Sequence, residues 1–566
     1  MKKRSKIHGL YYILGTTAVA LLFMHFPFIW QEFEGNGNRF FKTLFVSINN
    51  TIGVFTIDSG YENFFQAVNE LPGRWFSVYQ GWAAILFLLA PCLTLGILLS
   101  FAKTLRMWFR YLVSCSKEEY IFSELNERSV LLAQSLAKNK NDRKILFANV
   151  DFEDLNQEKM IAEVKGFGGL LFSRGIAELS LKKESKTKSL TFFLMGEEQS
   201  VLEQSIQLVK KYGKRKNTTL YMFADSKESE LLVSSMDTEQ MDMVIHRVDA
   251  ANAFVMRYLY ENGHEVFAGA DMNGSIRCAV IGLGKVGREL VKNLSWYGQM
   301  PGYSIQISGY DAEQNTLDAL YGQCPELLDD RYNGTFIEGG EAEYKISLHL
   351  LKSLTSELAA KQAAESDPTI VYIDMGKDAC TIEMAEAVRR ELLRLGQKPM
   401  IAAVVRDSDK NRLLQDLHNW KNQYYEISFM GSDESIYNED SILHSRLEKE
   451  AMDLHLRYCD LNDADDRLKQ ERMFWRYEYN YRSSLASAIH RKARKECGIP
   501  GTDKPAEQRT EEEKKNIRIM EHKRWNAYIR SIGYCYAEQR NDLAQTHHFL
   551  VPFDKLPLKE QIKDDI

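Results

Sequence analysis

Residues 278–290 read CAVIGLGKVGREL, in which an apolar run leads into three glycines at the spacing G-x-G-x-x-G. This pattern predicts a β-strand, a tight turn and then a helix, which is the first unit of a doubly wound α/β fold. Gly282 permits the turn, Gly284 lets a phosphate approach the backbone, and Gly287 lets the helix pack closely on the strand. The helix N-terminus that follows the turn favours an anion.

A further apolar run covers residues 303–310 and ends at Asp311, which lies 24 residues after Gly287. A carboxylate in this position accepts hydrogen bonds from a ribose. The sequence therefore predicts a nucleotide-binding site. An empty crevice retained by the fold is the alternative. The candidate cofactor-binding residues are Gly282, Leu283, Gly284, Lys285, Val286, Gly287 and Asp311.

Residues 276–405 resemble the TrkA-N family, the RCK-like nucleotide-binding domains that regulate potassium channels and transporters. Besides the glycine loop, TFIEGG at 335–340 and YIDMG at 372–376 stand where that family has its third and fourth strand ends. The resemblance implies a dinucleotide or adenosine ligand, NAD or another adenine nucleotide, that the glycine loop and Asp311 hold.

Short apolar strands alternate with amphipathic helices from about residue 120 onward, which predicts two Rossmann-like domains in tandem. We assign residues 118–270 to the first domain and residues 271–435 to the second. In the first domain Ser123, Leu125 and Arg128 stand where glycines would be expected. We therefore predict that the first domain serves packing and oligomerisation more than phosphate binding.

Two apolar runs, residues 10–30 and 82–101, are each long enough to cross a hydrocarbon core about 30 Å thick. Basic residues precede the first run and follow the second, so the positive-inside rule places both termini in the cytoplasm. The prediction is a two-span transmembrane hairpin over residues 1–117, in the cell inner membrane. A signal peptide is the alternative for the first run, but that run is long and lacks a small-residue cleavage site.

The segment 39–58 lies between the two runs and loosely resembles the pore helix and filter of two-span potassium channels. We expect a short helix followed by Asn49, Asn50 and Thr51 as pore candidates. The stretch TIGVF at 51–55 holds only part of the filter pattern, because the second glycine is missing. Three interpretations remain: a filter, another pore-lining or re-entrant segment, and an interfacial amphipathic segment.

The C-terminal residues 518–564 resemble the RyR domain, the repeat named for ryanodine receptors. The motifs are EHKRWNAY at 521–528, GY at 533–534 and THHFLVPFDKL at 546–556. The resemblance implies a small, mostly helical module within residues 436–566 that senses a ligand. The alternative is that Trp525 and Phe549 fill a small helical core. The candidate ligand-binding residues are His522, Arg524, Trp525, Tyr534 and Tyr536.

Composition restricts the chemistry of the chain. The 566 residues carry a net charge of −6, which argues against nucleic-acid binding over the whole surface. The eight cysteines include no CxxC pair, so we expect neither a metal site nor a disulfide framework. No histidine or lysine signature of a dehydrogenase occurs. We therefore expect no catalytic residues and no enzyme, with a nicotinamide-dependent oxidoreductase as the alternative.

Together these features predict a nucleotide-regulated membrane channel or pore-forming effector. Membrane lipid is one partner. The others are further copies of the chain, in a homotetramer by analogy with two-span channels, and a nucleotide or oligonucleotide signal. Such architectures resemble bacterial anti-phage effectors, whose signal a nucleotidyltransferase partner makes. The alternatives are a non-conducting, membrane-anchored nucleotide sensor and a potassium-transport regulatory protein.

Overall fold

In a computed structural model, the chain forms two compact units, and the boundary between them lies between Ser114 and Cys115. The residues that the structure describes are 2–35, 37–56, 81–94, 111–112, 118–138, 142–184, 188–236, 241–329, 331–332, 344–354, 356–421, 426–459 and 464–563.

The described residues of the N-terminal unit include the helices α1 (Lys2–Glu32), α2 (Arg39–Thr56) and α3 (Gly81–Thr94). Among the described residues only α1 is long and apolar enough to cross a membrane. The predicted second span, residues 82–101, is described only as far as the end of α3, a shorter apolar helix. One apolar N-terminal helix is therefore established, and the two-span hairpin stays a prediction.

Helix α2 corrects the prediction for the pore candidates. We expected Asn49, Asn50 and Thr51 to follow a helix, but they lie inside α2, which continues to Thr56. The Thr51 hydroxyl donates to the Ser47 carbonyl oxygen at 2.8 Å, as is usual within a helix. A selectivity filter needs backbone carbonyls directed at the ions. Residues 51–55 are helical in this structure, which disfavours the filter interpretation, and a pore role for Asn49, Asn50 and Thr51 stays a prediction.

The side chains of α2 are arranged in the opposite way from a helix on a water-soluble protein. Thr43 and Ser47 are completely buried, while Phe41 and Phe45 are 72% and 76% exposed. Helices of soluble proteins turn their apolar stripe inward. Small polar residues between helices and large apolar residues outside are typical of lipid-facing bundles.

The second unit begins with a six-stranded parallel sheet in the order β3-β2-β1-β4-β5-β6. Its strands are β1 (Glu118–Phe122), β2 (Arg143–Phe147), β3 (Leu170–Leu171), β4 (Ser189–Leu194), β5 (Thr218–Phe223) and β6 (Val244–Val248). Its helices are α4 (Glu127–Lys138), α5 (Glu158–Gly166), α6 (Glu198–Tyr212), α7 (Lys227–Ser235), α8 (Ala250–Asn262) and α9 (His264–Ala268).

Aromatic residues hold the centre of this first sheet. Phe122 is in register with Phe147 on β2 and with Phe193 on β4. The ring of Phe122 stacks on both neighbours, with 4.8 Å between ring centroids in each case. All three side chains are fully buried, so they fix the register of the strands that flank the switch point of the sheet.

A second parallel sheet follows in the order β12-β11-β10-β7-β8-β9. Read in chain order, both sheets have the Rossmann arrangement 3-2-1-4-5-6, which confirms the two predicted Rossmann-like domains. The strands are β7 (Ser275–Ile281), β8 (Ser304–Asp311), β9 (Tyr344–Leu350), β10 (Ile370–Ile373), β11 (Met400–Val404) and β12 (Ile427–Met430). The helices are α10 (Lys285–Tyr297), α11 (Gln314–Gln323), α12 (Ser356–Glu365), α13 (Asp378–Arg394) and α14 (Ser408–Lys421).

The C-terminal part of this unit is mostly helical. The Thr510 hydroxyl and the Glu513 side chain form a capping box that starts α20, and α20 packs along α10. Its elements are α15 (Asp433–Ile436), α16 (Glu439–Ile442), α17 (Arg446–Tyr458), α18 (Ala464–Arg476), α19 (Glu478–Glu496), α20 (Glu511–Ser531), β13 (Cys535–Tyr536), β14 (Thr546–His547) and α21 (Leu558–Lys563).

The contact between α17 and α19 predicts a dependence of stability on pH. Burial raises the pKa of Glu448 to about 7, although the Tyr481 hydroxyl, 2.7 Å from its carboxylate, lowers it. The folded state therefore favours the protonated acid, and stability falls as pH rises from about 4.5 through 7. Glu448→Gln should raise the free energy of unfolding by about 2 kcal/mol at pH 8. Urea denaturation at pH 4.5 should show no such gain, and an equal gain at both pH values would contradict the prediction.

Candidate functional site

The glycine loop lies where β7 ends and α10 begins. Gly282 has φ +85°, and a Cβ atom there would lie 2.1 Å from the Asp374 carbonyl oxygen. A Cβ atom on Gly287 would lie 1.9 Å from the Gly282 carbonyl oxygen. A Cβ atom on Gly284, by contrast, would meet nothing within 4 Å. Two glycines are therefore required by packing, whereas the third leaves open space at the N-terminus of α10.

Asp311 lies at the end of β8, beside the loop, as predicted. One carboxylate oxygen accepts a hydrogen bond from the Leu283 N–H at 2.7 Å, and the other accepts one from the Glu313 N–H at 2.9 Å. Asp311 therefore supports the glycine loop directly. Each oxygen has a second lone pair, so the carboxylate retains the capacity to accept a ribose hydroxyl.

Sequence reasoning missed an ion pair on the other side of the loop. Asp374 follows β10, and its carboxylate oxygens lie 3.0 and 2.8 Å from the two terminal nitrogens of Arg406, which follows β11. The Asp374 side chain is 4% exposed. Both residues come directly after short apolar strands, which is the signal that could have identified them.

Lys285 extends from the loop to the first domain. Its ammonium group forms an ion pair with Asp225, which follows β5. The Lys285 side chain is 67% exposed, so this pair contributes little to stability. The remaining predicted loop residues, Leu283 and Val286, are buried, and their side chains pack in the core beneath the loop. The pair thus links the glycine loop to the first domain without fixing Lys285 in place.

The corresponding crevice of the first domain has a different character. A cavity of about 760 Å³ opens at the carboxyl ends of β1, β4 and β5. Burial, together with the nearby Glu197, raises the pKa of Glu124 next to this cavity. The charged residues of the lining are Glu127, Arg128, Asp154, Glu198, Asp225, Lys285 and Asp433, in which carboxylates outnumber cations. Such a lining disfavours a phosphate, in agreement with the absence of the glycine pattern.

Three of the five candidate residues in the C-terminal module are buried. The Arg524 side chain is 2% exposed, and two of its nitrogens lie 3.1 and 2.8 Å from one carboxylate oxygen of Glu521. His522 Nε2 lies 2.7 Å from the Val551 carbonyl oxygen. The Tyr534 hydroxyl donates to the Asp542 carboxylate at 3.3 Å. Each of these groups has a partner within the fold.

The other two candidates are more accessible. Trp525 is half-buried, and its ring lies 4.9 Å from the His547 ring, edge to face. Tyr536 is 45% exposed. The five residues thus do not converge on one open surface, and their role in ligand binding stays a prediction.

Glu521, which sequence reasoning missed, organises the interior of the module. Its second carboxylate oxygen lies 3.9 Å from Arg494 on α19, and the side chains of Arg494 and Glu521 are each 1% exposed. Burial alone would raise the pKa of Glu521, but Arg524 and Arg494 lower it to about 2. The carboxylate is therefore ionised and joins α19 to α20.

Comparisons with known proteins give limited similarity. No family model matches the chain, and no curated protein matches it. Among solved structures, GsuK bound to ADP is 12% identical, with a TM-score of 0.34 over 76% of this chain and 96% of that one. A dipicolinate synthase chain from Bacillus halodurans is 10% identical, with a TM-score of 0.20 over 56% and 89%. UDP-GlcNAc 2-epimerase from Neisseria meningitidis is 10% identical, with a TM-score of 0.17 over 68% and 98%. The fold assignment therefore depends on the strand order of the two sheets.

Proposed function

We propose that this chain is a membrane-anchored protein whose second Rossmann domain binds an adenine nucleotide. Binding of the nucleotide would change the state of the membrane unit. The observation that carries the proposal is the open space at Gly284. A Cβ atom there would meet nothing, while Gly282 and Gly287 are tightly enclosed. Backbone N–H groups at the start of a helix, next to open space, form a favourable anion site.

The surroundings of the loop support a nucleotide over a simple anion. Asp311 stands at the end of the next strand, where an acceptor for ribose hydroxyls is needed. Lys285 is largely exposed and can leave Asp225 for a phosphate. NAD, ADP and ATP share the adenosine and phosphate groups that this arrangement would recognise.

A channel is the second candidate function, and the N-terminal unit favours it over a passive anchor. A single apolar helix is sufficient for an anchor. Here α2 packs beside α1 with Thr43 and Ser47 in the interior and phenylalanines outside. In a homo-oligomer, polar residues between lipid-facing helices would offer an ion pathway. The bound nucleotide would act by preferring one state of the assembly.

The experiment uses the full chain, purified in detergent. ADP, ATP and NAD are titrated in turn by calorimetry, and the protein is then reconstituted into vesicles that hold a potassium-sensitive dye. Binding of any of the three supports the proposal, and no binding overturns it. Nucleotide-dependent potassium flux would support the channel, whereas binding without flux would support the non-conducting sensor and reject the channel.

A further inference from the structure

A second cavity lies where three parts of the unit meet. Its walls come from the ends of β5 and β6 in the first domain, from α10 and the end of α11 in the second domain, and from α19, α20 and the loop after α20. Its volume is about 480 Å³, within the range of small-molecule sites. None of the glycines of the loop 282–287 lines it.

The charges around this cavity are balanced except at one residue. Among the residues that the structure describes, six cations and six carboxylates line it. Five of these cations contact a carboxylate of the same lining. The remaining carboxylate, Asp542, accepts a hydrogen bond from Arg540 at 2.9 Å. The five pairs are Lys227–Glu230, Arg247–Glu478, Arg482–Asp249, Lys285–Asp225 and Lys292–Glu289.

Arg288 is the sixth cation. It lies one turn into α10 and is half-buried, and within the described part of the chain its guanidinium has no carboxylate or hydrogen-bond partner. A partly desolvated cation is costly without an anion. The planar donors of arginine match a phosphate in two-point contact, and the positive end of α10 adds to the attraction. The Arg288 guanidinium is therefore a positive charge in the cavity that suits a phosphate.

The lining also contains aromatic residues. Tyr479 and Tyr534 both line the cavity, and their ring centroids are 5.7 Å apart. The Arg540 guanidinium lies 5.1 Å from the centroid of the Tyr479 ring. Aromatic rings of this kind stack with nucleobases of any sequence. The cavity therefore combines one unpaired arginine with a stacking surface.

We propose that this cavity binds a phosphomonoester that carries an aromatic base, of the size of a nucleoside monophosphate. The phosphate contacts Arg288, and the base lies against the half-buried ring of Tyr479. This site shares Lys285 with the glycine loop but includes none of its glycines. A ligand here contacts both Rossmann domains and the C-terminal module at once, so it stabilises their mutual arrangement.

The test titrates AMP, GMP, CMP and UMP in turn into the full chain by calorimetry, with two variants that act differently. Arg288→Gln removes the charge. Gly322→Phe fills the cavity, because a Cβ atom at Gly322 would meet nothing within 4 Å. Arg390→Gln is the matched control, since Arg390 is an exposed helical arginine outside the cavity. We expect each cavity variant to weaken binding by about tenfold or more, and the control to leave it unchanged.

Gly284→Val separates this proposal from nucleotide binding at the glycine loop. If a monophosphate binds here, its affinity survives Gly284→Val and falls in both cavity variants, while ADP and NAD binding at the loop survives Arg288→Gln. The proposal is overturned if none of the four monophosphates binds. It is also overturned if the affinity falls only in Gly284→Val, or if Arg288→Gln and Gly322→Phe both bind as the wild type does.

Discussion

Gly284→Val should lower the affinity for an adenine nucleotide by about 100-fold, the loss expected when two charge-assisted backbone hydrogen bonds are blocked. The valine side chain would occupy the open space over the N-terminus of α10, where a phosphate would otherwise lie. Gly284 has φ −62° and ψ −163°, an extended conformation that any residue can adopt, so the fold should be retained. Calorimetry with ADP, ATP and NAD measures the effect.

Gly166→Val is the matched control. A Cβ atom on Gly166, at the end of α5, would also meet nothing within 4 Å, and this glycine is far in sequence from the loop. We expect wild-type affinity in this variant. If Gly284→Val binds nucleotide as the wild type does, the glycine loop is not the phosphate site. If its melting temperature falls while that of Gly166→Val does not, the loss of affinity reflects misfolding.

Glu521→Gln should lower the free energy of unfolding by about 3–5 kcal/mol, because it removes the carboxylate between two buried arginines. Arg524 and Arg494 would then stay buried without this counter-charge. The glutamine keeps the size and shape of the side chain, so the effect reports charge and not a cavity. Urea denaturation at pH 7, followed by tryptophan fluorescence, measures the change. The relevant transition is the unfolding of the module that contains Trp525.

The control for this second substitution is Glu560→Gln. Glu560 contacts Lys563 at 3.1 Å, but the Lys563 side chain is 54% exposed, so its loss should cost less than about 1 kcal/mol. If Glu521→Gln unfolds at the same urea concentration as the wild type, Arg524 is not held by this carboxylate. Arg524 would then be available to a ligand, as the resemblance to the RyR domain implies.

The sequence predicted those features whose signals are local. A strand, three glycines and a helix stand next to one another along the chain, so β7, the turn and α10 follow from residues 278–290. Helix α20 likewise begins at the capping box of Thr510 and Glu513 and ends shortly before Gly533, and these signals are also local. The alternation of strands and helices was sufficient to predict two Rossmann-like domains.

Features that depend on distant residues were not predicted. The ion pair of Asp374 with Arg406 joins two strand ends, and that of Lys285 with Asp225 joins two domains. The sequence around these residues does not indicate which distant residue each of them pairs with. The third strand of the second sheet is Tyr344–Leu350, whereas TFIEGG at 335–340, where we expected its end, lies outside the described residues. The predicted end of α2 was too early because asparagine has a low helix propensity. Packing against α1 overrides that propensity, and the helix continues.

Helix α10 has a consequence for attempts to recombine this protein with others. One end of α10 forms the glycine loop, and its side packs against α20, where the fully buried Trp296 meets Tyr528 edge to face at 6.2 Å. A hybrid that exchanges only the C-terminal helices would leave that tryptophan facing water and invite aggregation. The parts of the second unit therefore cannot be replaced one at a time. A productive graft onto a foreign membrane segment should carry residues 118–566 as one inseparable piece.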